Sequence, residues 1–385
     1  MQKLTFLTAG ESHGKGLLGI LEGIPAGLAI SEQEIAEQLV RRQQGYGRGG
    51  RMKIEKDRAE IYCGVRHGKT LGTPVGLIIP NKDWENWANK MSVEPPAGET
   101  PAVTLPRPGH ADLAGVRKFD FRDIRNVLER ASARETAMRV ALATVCRKLL
   151  KEVGIEVGSR VVRIHTVRDK TPLPQEIAPE ELNRRADESP LRCLDKDAEK
   201  EMMAAIDRAR QAGDSVGGIF EVVASGLPYG LGTYVHWDKK LQARIAEAMM
   251  SINAFKGIEI GSGFAQAGAL GSEVHDEIFF EDGTYRRPTN NAGGIEGGMS
   301  NAQPIVVRVV MKPIPTLIKP LHSVDIETKT PKMAHKERTD SCAVPAASVI
   351  AESMLCLVLA DAVLEKFGGD TVEQLKGHMK VSAKY

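Results

Sequence analysis

Two histidines of this 385-residue chain lie in glycine-containing segments among residues that bind anions. His13 lies in residues 10–14, which read Gly-Glu-Ser-His-Gly, and His110 follows Arg-Pro-Gly at residues 107–109. An imidazole titrates near neutral pH, so it can give a proton to a leaving phosphate or hold one beside a cofactor. Either histidine alone is more often structural than catalytic. Their shared setting among glycines and arginines favours proton transfer.

The candidate binding groups are arginines, because a planar guanidinium binds phosphate or carboxylate through two hydrogen bonds. Residues 45–51 read Gly-Tyr-Gly-Arg-Gly-Gly-Arg, and residues 106–139 carry a dense run of cations. With the histidines and Asp340, these arginines predict an enzyme cavity for a small polyanion that carries phosphate and carboxylate. The arginines assigned to the cavity are Arg42, Arg48, Arg51, Arg107, Arg130, Arg134 and Arg338.

Residues 132–135, Ser-Ala-Arg-Glu, predict a capping box at the start of a long helix. Apolar residues then recur at helical spacing from position 138 to position 153, and Gly154 predicts the end of the helix. The free N–H groups and the dipole at a helix N-terminus favour an anion. We therefore expect Arg130, Ser132 and Arg134 around an anion site. The alternative is a solvated helix end with surface arginines.

Other interpretations of these motifs fit less well. Residues 10–15 lack the spacing of a phosphate-binding P-loop and have no Ser or Thr after Lys15. One Arg-Gly-Gly segment in a nearly neutral chain is weak support for nucleic-acid binding. The sequence has no His-x-x-x-His pair, and no other cluster of residues suggests a metal site, so we predict no metal. Adjacent residues on a strand point to opposite faces, which argues against Ser12 and His13 as a nucleophile pair.

Composition limits the class of protein. The 52 basic and 50 acidic residues nearly cancel, which argues against a protein built for nonspecific nucleic-acid binding. The five cysteines form no Cys-x-x-Cys pair, so neither a zinc site nor a disulfide framework is predicted. The first residues predict a strand and not a signal peptide, and the apolar run at 353–360 is too short to span a bilayer. We expect a reduced, cytoplasmic protein with no membrane partner.

Strand and helix patterns mix without regular alternation and predict an α+β or layered α/β fold in one domain, residues 1–385. Ser31 and Glu34 predict a second capping box. Segments 81–104 and 313–344 lack a pattern, and we interpret them as flexible. The predicted strands are 4–8, 16–23, 72–80, 155–167, 218–225 and 305–310. The predicted helices run from Ser31 to about 43, from the Ser132 cap to 153, from about 197 to 212 and from 345 to 367. Residues 168–200 are predicted to be a charged, irregular segment.

An internal repeat relates two parts of the sequence. Residues 9–28 and 212–231 are identical at eight of twenty positions, and each unit continues into a predicted helix. The repeat predicts two copies of one strand–turn–helix unit, residues 9–50 and 212–257. Chance matching of glycines is the alternative. His13 aligns with Val216, so its chemistry would belong to one copy.

Taken in order, these motifs resemble those of the chorismate synthase family over essentially the whole chain. The resemblance implies a layered β-α-β sandwich of two pseudo-repeated units, with antiparallel sheets around central helices. It also implies anti-1,4-elimination of phosphate from 5-enolpyruvylshikimate 3-phosphate to give chorismate, with reduced FMN required although there is no net redox change. The matching segments are 10–14, 45–51, 130–136, 253–257, 293–300, 312–316 and 338–347.

The resemblance also implies roles for single residues. His13 would be the acid that faces the departing phosphate, His110 would protonate or stabilise reduced flavin, and Asp340 would assist flavin N5 in taking the C6 proton. Substrate contacts would come from Ser12, Arg42, Arg48, Arg107, Arg134 and Arg338. FMN contacts would come from Arg130, Ala131, Ser132, Asn253, Ala254, Gly297, Lys312, Pro313, Ile314, Pro315, Thr316 and Arg338. Arg42 and Arg48 also match positions assigned to NADPH.

The resemblance has one departure and several further implications. Asn301-Ala302 stands where many members have glycine. The family implies a cytoplasmic homotetramer, and we expect reduced FMN from an external reductase or reductant because no additional reductase domain is evident. Two competing functions remain at this point: a nonenzymatic flavin- or anion-binding protein, and a phosphate-handling enzyme without flavin.

Overall fold

The computed structural model describes residues 3–49, 57–96, 98–173, 178–334 and 340–382. In this part of the chain the helices are α1 (Glu32–Gln43), α2 (Trp84–Trp87), α3 (Asp112–Phe119), α4 (Arg125–Leu128), α5 (Thr136–Glu152), α6 (Pro179–Asp187), α7 (Lys196–Gln211), α8 (Leu241–Met250), α9 (Gly271–Val274), α10 (Val344–Phe367) and α11 (Val372–Ser382). Short 3₁₀ turns occur at Ala133–Glu135, Trp237–Lys239 and Gly263–Gly268.

The strands in the same ranges are short and belong to several sheets. They are β1 (Thr5–Ala9), β2 (Gly16–Glu22), β3 (Glu60–Cys63), β4 (Val65–Arg66), β5 (Lys69–Thr70), β6 (Val75–Pro80), β7 (Glu156–Ile164), β8 (Val167–Arg168), β9 (Gly218–Ser225), β10 (Tyr229–Gly232), β11 (Phe255–Ile260), β12 (Phe279–Glu281), β13 (Thr284–Arg286), β14 (Ile295–Glu296), β15 (Met299–Asn301), β16 (Ile305–Met311), β17 (His322–Val324) and β18 (Pro331–Met333).

Two larger sheets organise these strands. The first has the order β1-β2-β6-β3, and the second has the order β11-β16-β9-β7-β8. The named strands pair antiparallel in both sheets, with Leu7 opposite Ile20 in the first and Val307 opposite Val222 in the second. Antiparallel sheets combined with segregated helices make this an α+β fold.

The helices α5 and α10 pack against each other and form much of the core. Helix α5 contacts β2 and β6 of the first sheet, and α10 contacts β7 and β9 of the second. Gly19 on β2 allows the close approach of α5, because a Cβ at this position would lie 2.5 Å from Met138 Sδ. A larger residue at position 19 would therefore push the sheet away from the helix.

Helix α10 is long and apolar enough to cross a membrane by length and composition, and it is the one such helix in the described ranges. Of its most apolar window, 94% is buried inside the protein. Its buried residues contact α1, α5, α8 and the second sheet. Its apolar character therefore matches a helix that is surrounded by protein on all sides.

Most sequence-based element predictions are confirmed. Helix α1 begins with the expected capping box, since the Ser31 side chain accepts from the Glu34 N–H and Glu34 binds the Ser31 N–H. Strand β9 has its predicted bounds, α7 differs from its predicted bounds by one residue at each end, and α10 differs by one residue at its start. Caps and glycines mark these ends locally, so the sequence contains enough information to find them.

Two element predictions were wrong. Ser132 caps a 3₁₀ turn by accepting from the Arg134 N–H at 3.3 Å, and α5 begins only at Thr136. The Glu135 carboxylate does not complete a capping box, because it accepts hydrogen bonds from Thr8 and Arg139 instead, each at 2.9 Å. The predicted irregular segment at 168–200 contains α6, which begins with a proline at its first position.

Candidate active site

A cavity of about 690 Å³ lies where α1, α10, the start of α5 and several loops meet. Apolar side chains form much of its wall, including Leu128, Ile252, Met311 and Ile350. Its lining carries five Arg or Lys side chains and two carboxylates within the described ranges. A cavity of this volume, with apolar walls and an excess of cations, suits a flat ring system and an organic anion.

His13 lies in the turn between β1 and β2 and is held by Glu129. The His13 Nδ1 is 2.8 Å from Glu129 Oε2, and the His13 N–H donates to the same oxygen at 3.0 Å. Trp87 stacks on the imidazole, with ring centroids 3.7 Å apart. Burial raises the pKa of Glu129, but the hydrogen bonds and charge of His13 outweigh this effect, so the pKa lies below its ordinary value.

His110 lies just before α3 and is held by a second buried carboxylate. The distance from His110 Nδ1 to Asp112 Oδ1 is 2.6 Å, and Asp112 also accepts from Arg107 Nε at 2.8 Å. Burial raises the pKa of Asp112, but these hydrogen bonds outweigh it and hold the pKa well below its usual range. Asp112 thus fixes the side chains of a predicted substrate-binding arginine and a predicted catalytic histidine together.

The C-terminal end of α1 supplies Arg42, which is buried. Its guanidinium donates to Thr136 Oγ1 at 2.9 Å and to the carbonyl of Ala133 at 2.8 Å. Arg48 follows in the glycine-rich loop and pairs with Asp340 at 3.2 Å. Asp340 also accepts from the Gly49 N–H at 2.6 Å. The loop and the segment before α10 are therefore joined beside the cavity.

Ser12 and His13 lie in a turn, so the argument from a strand was wrong for this pair. Both residues line the cavity. The Ser132 hydroxyl donates to Ser12 Oγ at 3.3 Å, and His13 Nδ1 faces Glu129. The Ser12 hydroxyl therefore binds Ser132, while the His13 imidazole binds Glu129.

Several segments that the resemblance assigns to FMN lie beside one another. Asn253 Nδ2 donates to the carbonyl of Ala131 at 2.9 Å, and Lys312 Nζ donates to the carbonyl of Gly109 at 2.6 Å. The carbonyl of Ile314 accepts from Ser215 at 2.7 Å. Hydrogen bonds between segments far apart in sequence hold this side of the cavity. Its lining includes Ala131, Ser132, Asn253, Ala254, Lys312, Ile314, Pro315 and Thr316.

Other candidate residues are not part of the described lining. Arg130 binds the carbonyls of Gly10 and Thr8, and Arg134 is buried and pairs with Asp57 at 3.0 Å. Pro313 and Gly297 are also absent from the described lining, and Gly297 lies between β14 and β15. Arg51 and Arg338 lie outside the described residues.

Sequence reasoning missed Glu129, Asp112, Trp87 and Arg125. Asp112 is two residues after His110, a spacing that permits a contact across a turn, and Glu129 directly precedes the 130–136 motif. Both carboxylates are important because they are buried, with Asp112 1% exposed and Glu129 2% exposed. No local pattern distinguishes a buried Glu129 from a solvated one.

Comparison with known proteins identifies the family. The chorismate synthase family profile matches residues 4–364 of the chain. The chorismate synthase of Aquifex aeolicus (strain VF5) is 56% identical over 386 aligned positions, covering 98% of this chain and 96% of the relative. The chain belongs to the chorismate synthase family. The chorismate synthase of Bacillus subtilis (strain 168) is 53% identical and covers 98% of both chains.

The structural comparison agrees with this assignment. A crystal structure of chorismate synthase matches with a TM-score of 0.80 at 46% identity, covering 99% of this chain and 97% of the other. As a member of the chorismate synthase family, the chain is a lyase of aromatic amino-acid biosynthesis. The resemblance that the motifs indicated is confirmed.

Proposed function

We propose that the cavity binds 5-enolpyruvylshikimate 3-phosphate and reduced FMN and eliminates phosphate to form chorismate. The observation that supports this proposal is the gathering of His13, His110, Asp340 and several arginines around one cavity of about 690 Å³. Anaerobic incubation of the purified protein with the substrate and reduced FMN tests it. Phosphate release and the absorbance of chorismate must appear together.

The chemistry of the cavity fits a flavin. Alanine, proline and isoleucine side chains offer flat apolar contacts for a ring, while Lys312 and Ser132 offer donors to a phosphate. Reduced FMN held there would supply electron density to the elimination without net oxidation or reduction. The residues proposed to hold it are Ala131, Ser132, Asn253, Ala254, Lys312, Ile314, Pro315 and Thr316. Arg130, Pro313, Gly297 and Arg338 remain proposed contacts on the resemblance alone.

The proposed proton transfers use three side chains. His13 gives a proton to the phosphate oxygen as the C–O bond breaks and the electron pair leaves with phosphate. His110 holds a proton beside the reduced cofactor, and its hydrogen bond to Asp112 fixes the ring for this role. Asp340 assists removal of the C6 proton, and the Gly49 N–H and Arg48 hold its carboxylate in place.

The arginines are proposed to bind the substrate anions. Arg48 and Arg107 line the cavity and are each held by a carboxylate, which reduces the entropy lost when a substrate orders them. Arg42 lines the cavity while its guanidinium also binds the start of α5. Ser12 adds a hydroxyl, and NADPH contact at Arg42 and Arg48 remains a proposal from the resemblance.

The finer architecture is proposed on the same basis. Contacts of α5 with the first sheet and of α10 with the second support a layered β-α-β sandwich. The pseudo-repeat of 9–50 and 212–257 is supported by Gly23 and Gly226, equivalent turn glycines that both have positive φ.

Ligand binding is proposed to order 81–104 and 313–344, so FMN should slow proteolysis in these segments. Equal cleavage with and without FMN would contradict this part.

A homotetramer is proposed from the resemblance, and the apolar, exposed outer face of the first sheet supports an interface between subunits. Leu7, Leu18 and Ile20 share this face and are 70%, 51% and 50% exposed. Such a face is typical of a surface that another subunit covers. Ile20→Glu should therefore lower the mass measured by light scattering, whereas Val381→Glu on α11 should not. A wild-type monomer would contradict the proposal.

The source of reduced flavin is proposed to be external, and the location cytoplasmic. Purified protein given NADPH and oxidised FMN should not form chorismate unless a flavin reductase or chemical reductant is added. Turnover with NADPH and oxidised FMN alone would contradict an external source.

A further inference from the structure

Glu129 holds the loop that carries His13 in several ways. Its carboxylate accepts from the backbone N–H of His13 at 3.0 Å and lies 2.8 Å from the ring Nδ1. Its backbone carbonyl accepts from the Ser12 N–H at 3.0 Å. One residue at the end of α4 therefore fixes both the position of the loop and the orientation of the imidazole.

The surroundings of this pair restrict its motion and its access to water. Glu129 is 2% exposed, and Trp87 lies almost parallel to the His13 ring at an angle of 22°. Arg125 Nη1 donates to Glu129 Oε1 at 3.2 Å, and the Arg125 guanidinium lies over the Trp87 ring at 5.6 Å. The positive charge of Arg125 thus compensates the buried Glu129 carboxylate, and Trp87 stacks on one face of the His13 ring.

We propose that Glu129 is a positioning residue that keeps a proton on His13 Nδ1 and leaves Nε2 to exchange the catalytic proton. This inference rests on the proposed role of His13 as the acid that serves the departing phosphate. Trp87 covers one face of the ring and favours the same orientation. Glu129 itself does not touch the substrate in this scheme.

The positions of the two ring protons of His13 explain why a residue such as Glu129 is needed. When the N–H bond at Nε2 breaks and an O–H bond forms on phosphate, the neutral ring keeps its other proton on Nδ1. A carboxylate that accepts from Nδ1 stabilises both the imidazolium and this neutral tautomer. Glu129 stays ionised near neutral pH because its pKa lies below the ordinary value despite burial. It can therefore accept at Nδ1 throughout the cycle.

The test combines spectroscopy with kinetics on the full-length protein. Histidine labelled with ¹⁵N reports the protonated ring nitrogen through long-range ¹H–¹⁵N spectra, and His13→Asn identifies the His13 signals. Glu129→Gln removes the charge while keeping the size of the side chain. Glu221→Gln is the matched control, since Glu221 is also buried and bound by arginines but lies outside the described cavity lining.

In the wild type we expect the neutral His13 ring to carry its proton on Nδ1. In Glu129→Gln this tautomer should lose its dominance, and kcat should fall roughly 10- to 100-fold with KM for the substrate unchanged, as expected when an acid is misoriented. Glu221→Gln should change neither the His13 spectrum nor kcat.

Several outcomes would overturn the inference. They are a wild-type His13 with its proton on Nε2, a Glu129→Gln protein with normal kcat, or a loss of kcat with an unchanged His13 tautomer. If Glu129→Gln does not fold, the wild-type spectrum still decides. If the wild type forms no chorismate, the proposed function fails, whereas the tautomer comparison remains informative about Glu129.

Discussion

The Asp112 carboxylate binds the His110 ring and the Arg107 guanidinium at the same time, at 2.6 Å and 2.8 Å. The three residues form one buried unit at the start of α3, with Asp112 only 1% exposed. A cation and an imidazole that share one carboxylate cannot move independently. The substrate binding proposed for Arg107 and the proton transfer proposed for His110 are therefore expected to depend on each other.

Replacing His110 tests the proton-transfer role that is proposed for this histidine. His110→Ala should lower kcat by about 10²- to 10⁴-fold, the usual contribution of a positioned proton-transfer group, while circular dichroism stays native. His236→Ala is the control, because His236 is exposed and also pairs with an aspartate at 2.6 Å. A His110→Ala enzyme with wild-type turnover would remove His110 from the mechanism.

Arg134 distinguishes a substrate clamp from a structural ion pair. Its guanidinium lies 3.0 Å from the buried Asp57, so Arg134→Ala should destabilise the fold by about 3–5 kcal/mol. If Arg134 also binds substrate, the affinity for the phosphorylated substrate should fall by about 1.5–3 kcal/mol. Denaturant unfolding and calorimetric titration measure the two effects separately. If Arg134→Ala loses stability but binds the phosphorylated substrate as tightly as the wild type, Arg134 has only a structural role.

Glu352 on α10 is fully buried and lies at the centre of a cluster of charged side chains. It accepts from Arg41 at 2.9 Å, Arg147 at 2.7 Å and Arg192 at 3.0 Å. Burial raises its pKa, but the three positive charges outweigh burial and hold the pKa far below its usual range. Glu352→Gln should therefore cost about 3–5 kcal/mol of unfolding free energy at pH 7.

The same cluster predicts a pH dependence. Because the folded pKa of Glu352 is depressed, its contribution is complete above the unfolded pKa of about 4.3 and declines as pH falls toward the folded pKa. The stability gap between wild type and Glu352→Gln should therefore narrow below about pH 4.3. Glu180→Gln, at an exposed pair with Lys151, is the control. If the difference in unfolding free energy between wild type and Glu352→Gln grows in acid, the depressed pKa of Glu352 is contradicted.

Thiol reactivity tests the burial of the core. Cys63 is exposed, whereas Cys146, Cys193, Cys342 and Cys356 are buried. Burial raises the pKa of Cys193 and Cys342 to about 12 and that of Cys356 to about 11. An aromatic disulfide reagent should therefore modify one thiol rapidly in the native protein and all five after unfolding. A second fast thiol in the native state would show that a core helix opens.

Local sequence signals predicted the elements well where a local interaction decides the structure. The Ser31–Glu34 capping box and the Pro345 and Gly368 limits of α10 are of this kind. Position 135 shows the limit of such signals. Glu135 has the residue type for a capping box, but Thr8 and Arg139 bind its carboxylate in the folded chain. Tertiary contacts decided between two local possibilities.

In the candidate site, too, local motifs predicted some residues, and others are recognised only in the folded chain. The motifs identified six residues that line the cavity: His13, His110, Asp340, Arg42, Arg48 and Arg107. The two histidines stand out because each has glycine and charged residues beside it in the sequence. The carboxylates that hold the two histidines were not found from the sequence. Glu129 is 116 residues from His13, and only folding brings the two together. Interactions at this separation leave no periodic pattern to detect.

Phosphate elimination in this cavity is expected to require reduced FMN. The direct measurement is an anaerobic assay with 5-enolpyruvylshikimate 3-phosphate, in which phosphate and chorismate are followed together in wild type and His13→Ala. We predict equal amounts of both products with reduced FMN, and neither product with oxidised FMN or without flavin. His13→Ala should lose most of the rate. Phosphate release without flavin, or flavin binding without any product, would contradict these predictions.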